Sequence, residues 1–226
     1  MRVVVNEVRL AVDVRGPAEA PKMVLLHGMR DRGSEWDRVA KLFADTYEVF
    51  APDLRGHGDS DWAGPYTFQT MCDDVTGLID ALGLTSVVLL GHSMGGNIAY
   101  LVAMQRPDLV ERLIIEDVPP PYALNRSLPE KPADIESLDF DWEVVRGIVA
   151  EVFAGAPKMW DDLDTIGAPT LLIGGGPESH VPPDKLRDVA ERIPDCTMIT
   201  IPAGHYIHAT EPNRFAEVVE GWLRDE

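Results

Sequence analysis

Two short alternations open the chain, residues 2–5 and 8–15, in which Val and Leu exchange places with polar groups. A period of two belongs to a half-buried strand, so these stretches predict an antiparallel pair. Met23-Val24-Leu25-Leu26 is instead apolar throughout, as a strand covered on both faces should be. The period then switches to three and four. Ser34 stands where it can cap a helix carrying Trp36, Val39, Ala40, Leu42 and Phe43. Residues 47–51 form the next strand pattern. Thr67 is placed to cap a longer helix whose stripe is Phe68, Met71, Val75, Leu78, Ile79 and Leu82, with Gly83 as its stop. A strand at 86–90, a helix at 94–105 that breaks at Pro107, and a strand at 113–115 continue the beat.

The rhythm changes over about 118–162. Pro119, Pro120, Pro121, Pro129 and Pro132 interrupt it, and one strong helical stripe at 141–153 carries Trp142, Val145, Ile148, Val149, Val152 and Phe153. Alternation returns with a strand at 170–173, a helix at 183–193, a strand at 197–201 and a last helix with Thr210 as its cap. Repeated strand–helix units predict an α/β fold: a mainly parallel sheet of about eight strands with helices on both faces. The 118–162 stretch is then an insertion over one sheet end, within a single domain spanning 1–226. Ligands of such sheets bind beyond the carboxyl ends of the strands.

Charge narrows the partners. The 226 residues carry a net charge of −18. Nucleic acid and anionic membrane surfaces both require clustered Lys and Arg, so neither is expected as a partner. The N-terminus reaches Glu7 too soon for a signal peptide, and no apolar run approaches the ~20 residues of a membrane span. Cys72 and Cys196 make no disulfide framework. A cytoplasmic protein is the expectation.

The chemistry centres on Gly91-His92-Ser93-Met94-Gly95-Gly96, between the strand at 86–90 and the helix at 94–105. Gly-x-Ser-x-Gly at a strand-to-helix turn is the nucleophile-elbow pattern, which lifts the Ser93 hydroxyl above the sheet edge. Serine needs a base, an orienting acid and an oxyanion hole. His205 follows the strand at 197–201 through Pro202-Ala203-Gly204 and is the expected base. His208 is expected as a loop partner or pocket wall, and His27 and His57 as loop-fixing hydrogen-bonders. The acid should lie between Ser93 and His205 in sequence. Glu178, after the strand at 170–173, is the first choice, and Asp117, after the strand at 113–115, is the alternative. Backbone N–H groups of Met94 and Met29 are the expected oxyanion donors.

Together these residues resemble the α/β-hydrolase superfamily over nearly the whole chain. His27-Gly28 resembles its oxyanion loop. Asp53-Leu54-Arg55-Gly56-His57-Gly58-Asp59-Ser60 resembles its D-x-R-G-x-G-x-S turn. Gly204-His205-Tyr206-Ile207-His208 resembles its catalytic-histidine loop, whose first histidine is the base. Gly175-Pro177-Glu178-Pro182 resembles the family's G-x-x-D-x-x-x-P loop, but with glutamate where aspartate is usual. The insertion is short beside the caps of many relatives and so resembles a small lid. The resemblance implies a serine hydrolase acting on a small-molecule carboxylic ester, without metal or organic cofactor. Trp142, Val145, Val149 and Trp160 are candidates for an apolar pocket. A thioesterase, lactonase, C–C hydrolase or cofactor-free perhydrolase would use the same parts. A small-molecule binding module on the same fold is the non-enzymatic alternative.

Overall fold

A computed structural model describes residues 1–225. Eight strands form one sheet in the order β1-β2-β4-β3-β5-β6-β7-β8. β1 (Arg2–Val5) and β2 (Val8–Arg15) pair antiparallel, as their alternation predicts. β2 also runs antiparallel to β4 (Glu48–Pro52). The remaining strands are parallel: β3 (Lys22–Leu26), β5 (Val87–His92), β6 (Val110–Glu116), β7 (Thr170–Gly174) and β8 (Cys196–Thr200).

The continuous apolar strands divide their side chains between two cores. Val24, Leu26, Leu89, Leu113 and Ile115 face one side, where α2 (Phe68–Ala81) and α3 (Met94–Gln105) pack. Met23, Leu25, Val88, Leu90 and Ile114 face the other, against α1 (Asp37–Phe43) and α8 (Pro212–Asp225). This is why these strands show no alternation: both of their faces are dry. α3 is buried almost all round, between the sheet and α2, and its sequence is correspondingly apolar on every side.

Between β6 and β7 the chain runs without regular structure to Asp141. It then forms α4 (Trp142–Ala154) and the short α5 (Pro157–Asp161). After β7 come α6 (Pro183–Ala190), β8 and the short α7 (Ile207–Thr210), which leads into α8. Thr67 caps α2 as expected, its hydroxyl accepting the Thr70 N–H at 3.0 Å. Two expected caps fail. Ser34 lies inside a 3-10 turn, Gly33–Trp36, that precedes α1, and it caps nothing. Thr210 ends α7 instead of opening α8. The two cysteines are both free.

Candidate active site

β5 and β6 end in register, His92 opposite Glu116. The next residue of each, Ser93 and Asp117, turns into the left-handed region at φ 52° and φ 50°. Non-glycine residues held there store about 1–3 kcal/mol of strain, and such residues cluster at functional sites. At Ser93 the turn is locked on both sides: its N–H donates to the Glu116 carbonyl at 3.2 Å, and its own carbonyl accepts the Asn97 N–H at 3.1 Å. The glycines around it are steric necessities. A Cβ on Gly91 would fall 2.7 Å from the Gly96 nitrogen, and one on Gly95 would fall 2.7 Å from the His27 carbonyl oxygen. α3 therefore starts hard against the chain that leaves β3.

That contact sets the start of α3 and the loop after β3 on one cavity. Met94 is the first residue of α3, where N–H groups have no partner in the helix. Met29 lies in the loop after β3, and its N–H has no hydrogen-bond partner among the described residues. Both line the cavity that holds Ser93. Two histidines fix this loop, as expected. His27 Nε2 accepts the Leu54 N–H at 2.9 Å and its Nδ1–H donates to the Gly28 carbonyl at 2.7 Å. His57 Nε2 accepts the Arg30 N–H at 3.3 Å. Burial keeps both rings neutral, pushing His57 down to about 4 and His27 well below its ordinary value.

His205 lines the same cavity, and its Nδ1 lies 2.8 Å from Asp117 Oδ2. The expectation that Glu178 orients His205 is therefore corrected in favour of Asp117. Glu178 is exposed at the end of a 3-10 turn, and among the described residues its side chain makes no hydrogen bond to His205. Asp117 is fully buried. Its Oδ1 accepts the Gly175 N–H at 2.7 Å and its Oδ2 accepts the Ser179 hydroxyl. The loop after β7 thus contributes anchors for the acid, not the acid itself. With Nδ1–H donated to Asp117, the imidazole keeps the lone pair of Nε2 free.

The His205 loop has two further ties that sequence reasoning missed. His92, buried within the elbow, donates its Nε2–H to the His205 carbonyl at 3.0 Å, and burial drives its pKa down to about 3. Glu116 accepts from His208 through both backbone N–H (2.9 Å) and Nδ1 (2.8 Å). Burial opposes charge on this pair, but each partner favours the ionised form of the other, so Glu116 is lowered and His208 raised. His208 is thus a loop partner, one of its two expected roles. His92, Glu116 and His208 form a buried trio with ligand-like spacing. Its hydrogen bonds to His208 and to the His205 carbonyl give the trio a structural use. A signal for the missed ties existed only in the strand register, which sets Glu116 beside His92.

Of the pocket candidates, only Val149 lines the cavity. It is joined by Ile148, Val152 and Phe153, the next positions along α4. Trp142 and Val145 are corrected to packing residues, forming a small cluster with Phe140. Trp160 is corrected too: its indole N–H donates to the Pro121 carbonyl at 3.0 Å, and its ring lies under Lys185 and Arg192. The cavity itself is about 420 Å³, within the range of small-molecule sites. No described helix is long and apolar enough to cross a membrane.

Residues 23–218 match the sequence model of the alpha/beta hydrolase family. The sn-1-specific diacylglycerol lipase ABHD11 of Mus musculus is 29% identical, over 92% of this chain and 82% of its own length. A thermophilic esterase from Thermogutta terrifontis, solved with malate bound, is 27% identical with a TM-score of 0.84, over 100% of this chain and 98% of that one. A hydrolase from Pseudomonas aeruginosa superposes with a TM-score of 0.86 at 23% identity, covering 99% and 97%.

Proposed function

The chain belongs to the alpha/beta hydrolase family, and we propose that within it this protein is a serine hydrolase that cleaves carboxylic esters of small molecules. The observation that carries this reading is the His205–Asp117 hydrogen bond of 2.8 Å beside a strained Ser93 on one cavity. Ser93 Oγ attacks the ester carbonyl while His205 Nε2 takes its proton. The carbonyl oxygen becomes an oxyanion, held by the N–H groups of Met29 and Met94. The tetrahedral species collapses, the C–O bond to the alcohol breaks, and His205 returns its proton to the leaving oxygen. Water, deprotonated by His205, then releases the acid from Ser93. Asp117 holds the productive tautomer and stabilises the imidazolium that forms twice in the cycle.

The esterase and the diacylglycerol lipase among the relatives support ester chemistry by their names. The segment at 118–162 acts in this reading as a lid, with α4 supplying the apolar wall for the acyl or alcohol chain. A fluorophosphonate probe should label the wild-type protein and not Ser93→Ala. The same variant should lose at least about 10³-fold in turnover of a short-chain ester while keeping its circular dichroism spectrum. Near wild-type hydrolysis by Ser93→Ala would overturn the proposal.

A further inference from the structure

Asp and Glu make up 38 of the 226 residues, about one in six. None of the twenty residues lining the Ser93 cavity is among them. Two arginines are: Arg30, from the loop after β3, and Arg126, from the segment that leads to α4. Neither makes an ion pair among the described residues, although acids outnumber bases and most other arginines sit against a carboxylate. Arg30 instead lies over the Trp142 ring, 5.7 Å from its centroid. Such a contact steadies the guanidinium without neutralising it. No Asp or Glu on this lining competes for these two cations.

The rest of the lining is mostly apolar, with one buried amide. Asn97 is 3% exposed, and its Oδ1 has no hydrogen-bond partner among the described residues. A carboxylate, itself only an acceptor, does not pair that oxygen, so the case for an anion rests on the arginines. A neutral hydrocarbon ester would use the apolar wall but not the free guanidinium groups.

Resting on the serine-hydrolase reading, we propose that the substrate carries a carboxylate besides the ester being cleaved. It is a monoester of a dicarboxylic acid, or an ester of a hydroxy acid, with the free carboxylate held by Arg30 and Arg126. Guanidinium groups bind carboxylates through paired, charge-assisted hydrogen bonds, which lysines do not reproduce geometrically. The molecule as a whole repels anions, at −18. Two arginines on a lining without Asp or Glu give an anion a place to approach on an otherwise anionic molecule.

The test compares monomethyl suberate with dimethyl suberate, which differ by one methyl and one charge. Calorimetric titration into Ser93→Ala at pH 7.5 measures binding without turnover. The monoester should bind about tenfold more tightly, and the margin should shrink at high salt. Adding Arg30→Gln and Arg126→Gln should bring the two ligands within about twofold, while the paired lysine variants keep part of the margin. Equal or tighter binding of the diester, or a margin that survives both glutamines, would overturn the proposal. Because binding is read on an inactive variant, the outcome is separate from that of the hydrolase reading, which fails if neither ester is cleaved by wild type and Ser93 is not labelled.

Discussion

Asp117 shows how a single backbone turn assigns a role. It leaves β6 at φ 50°, which tips its carboxylate under the His205 loop, where the Gly175 N–H and the Ser179 hydroxyl hold it. Glu178 sits one residue from Ser179 and yet faces solvent. Asp117→Asn should therefore lower kcat by up to ~10⁴, since an amide favours the wrong imidazole tautomer. Glu178→Gln should stay within about twofold on the same ester. The reverse pattern would return the role to Glu178. The proposed nucleophile and base, Ser93 and His205, stood out in sequence because each sits in a motif with glycines at fixed offsets. The acid did not, because two loops both precede His205 in the chain and both end beside it in space. Only β-strand adjacency and a positive φ separate them, and neither is written in residue spacing. The arginines of the cavity wall were also illegible, since an absence of acids around them exists only in three dimensions.

At the scale of elements, the sheet and its helices followed from apolar periodicity almost to the residue. β3, α2 and α3 begin and end close to where their patterns do. The misses are short. A 3-10 turn precedes α1 and a four-residue helix precedes α8, and each displaced an expected cap. One turn of helix has no period to detect. The 118–162 segment should open well before the sheet does. Between Val118 and Asp141 its backbone makes few hydrogen bonds to the body, such as Gly58 N–H to Asp139 and Asp141 N–H to Gly56. β5 and β6 are paired on both sides and buried. Hydrogen exchange should show amides of 119–140 fully exchanged while those of 88–91 and 113–116 remain protected. Uniform protection across the two regions would contradict a separately opening lid. The α4 wall was foreseen as apolar, but two of its three candidates lie too near its start: Trp142 and Val145 pack with Phe140, while Val149, Val152 and Phe153, further along the same face, meet the cavity.

For the whole molecule, the buried histidines set how the fold answers acid. His27, His57 and His92 are all held neutral by burial, with His57 near 4 and His92 near 3. Unfolded, each would take a proton near its ordinary value of ~6.5. Between about pH 6.5 and 4 the unfolded chain therefore binds more protons, and stability falls as pH falls. Asp31 works the other way, because burial raises it to about 6, so the folded state gains one proton in part of that window. His208, raised by Glu116 against the effect of burial, contributes stability below its unfolded value that is lost as pH rises through its folded one. The net slope should be on the order of 1–3 kcal/mol per pH unit, with the thermal midpoint dropping steadily from pH 6.5 to 4.5. A midpoint flat across that range would exclude the neutral-histidine account. The order of the sheet has a consequence for synthesis. Ser93 follows β5, Asp117 follows β6, Asp117's anchors follow β7, and His205 follows β8. A ribosome releases about 5–20 residues each second, so a growing chain displays Ser93 for several seconds before His205, its proposed base, has been made. Throughout that interval the hydroxyl is an ordinary alcohol. In the proposed scheme the chain therefore stays chemically silent until the loop after β8 joins the turns that follow β5, β6 and β7.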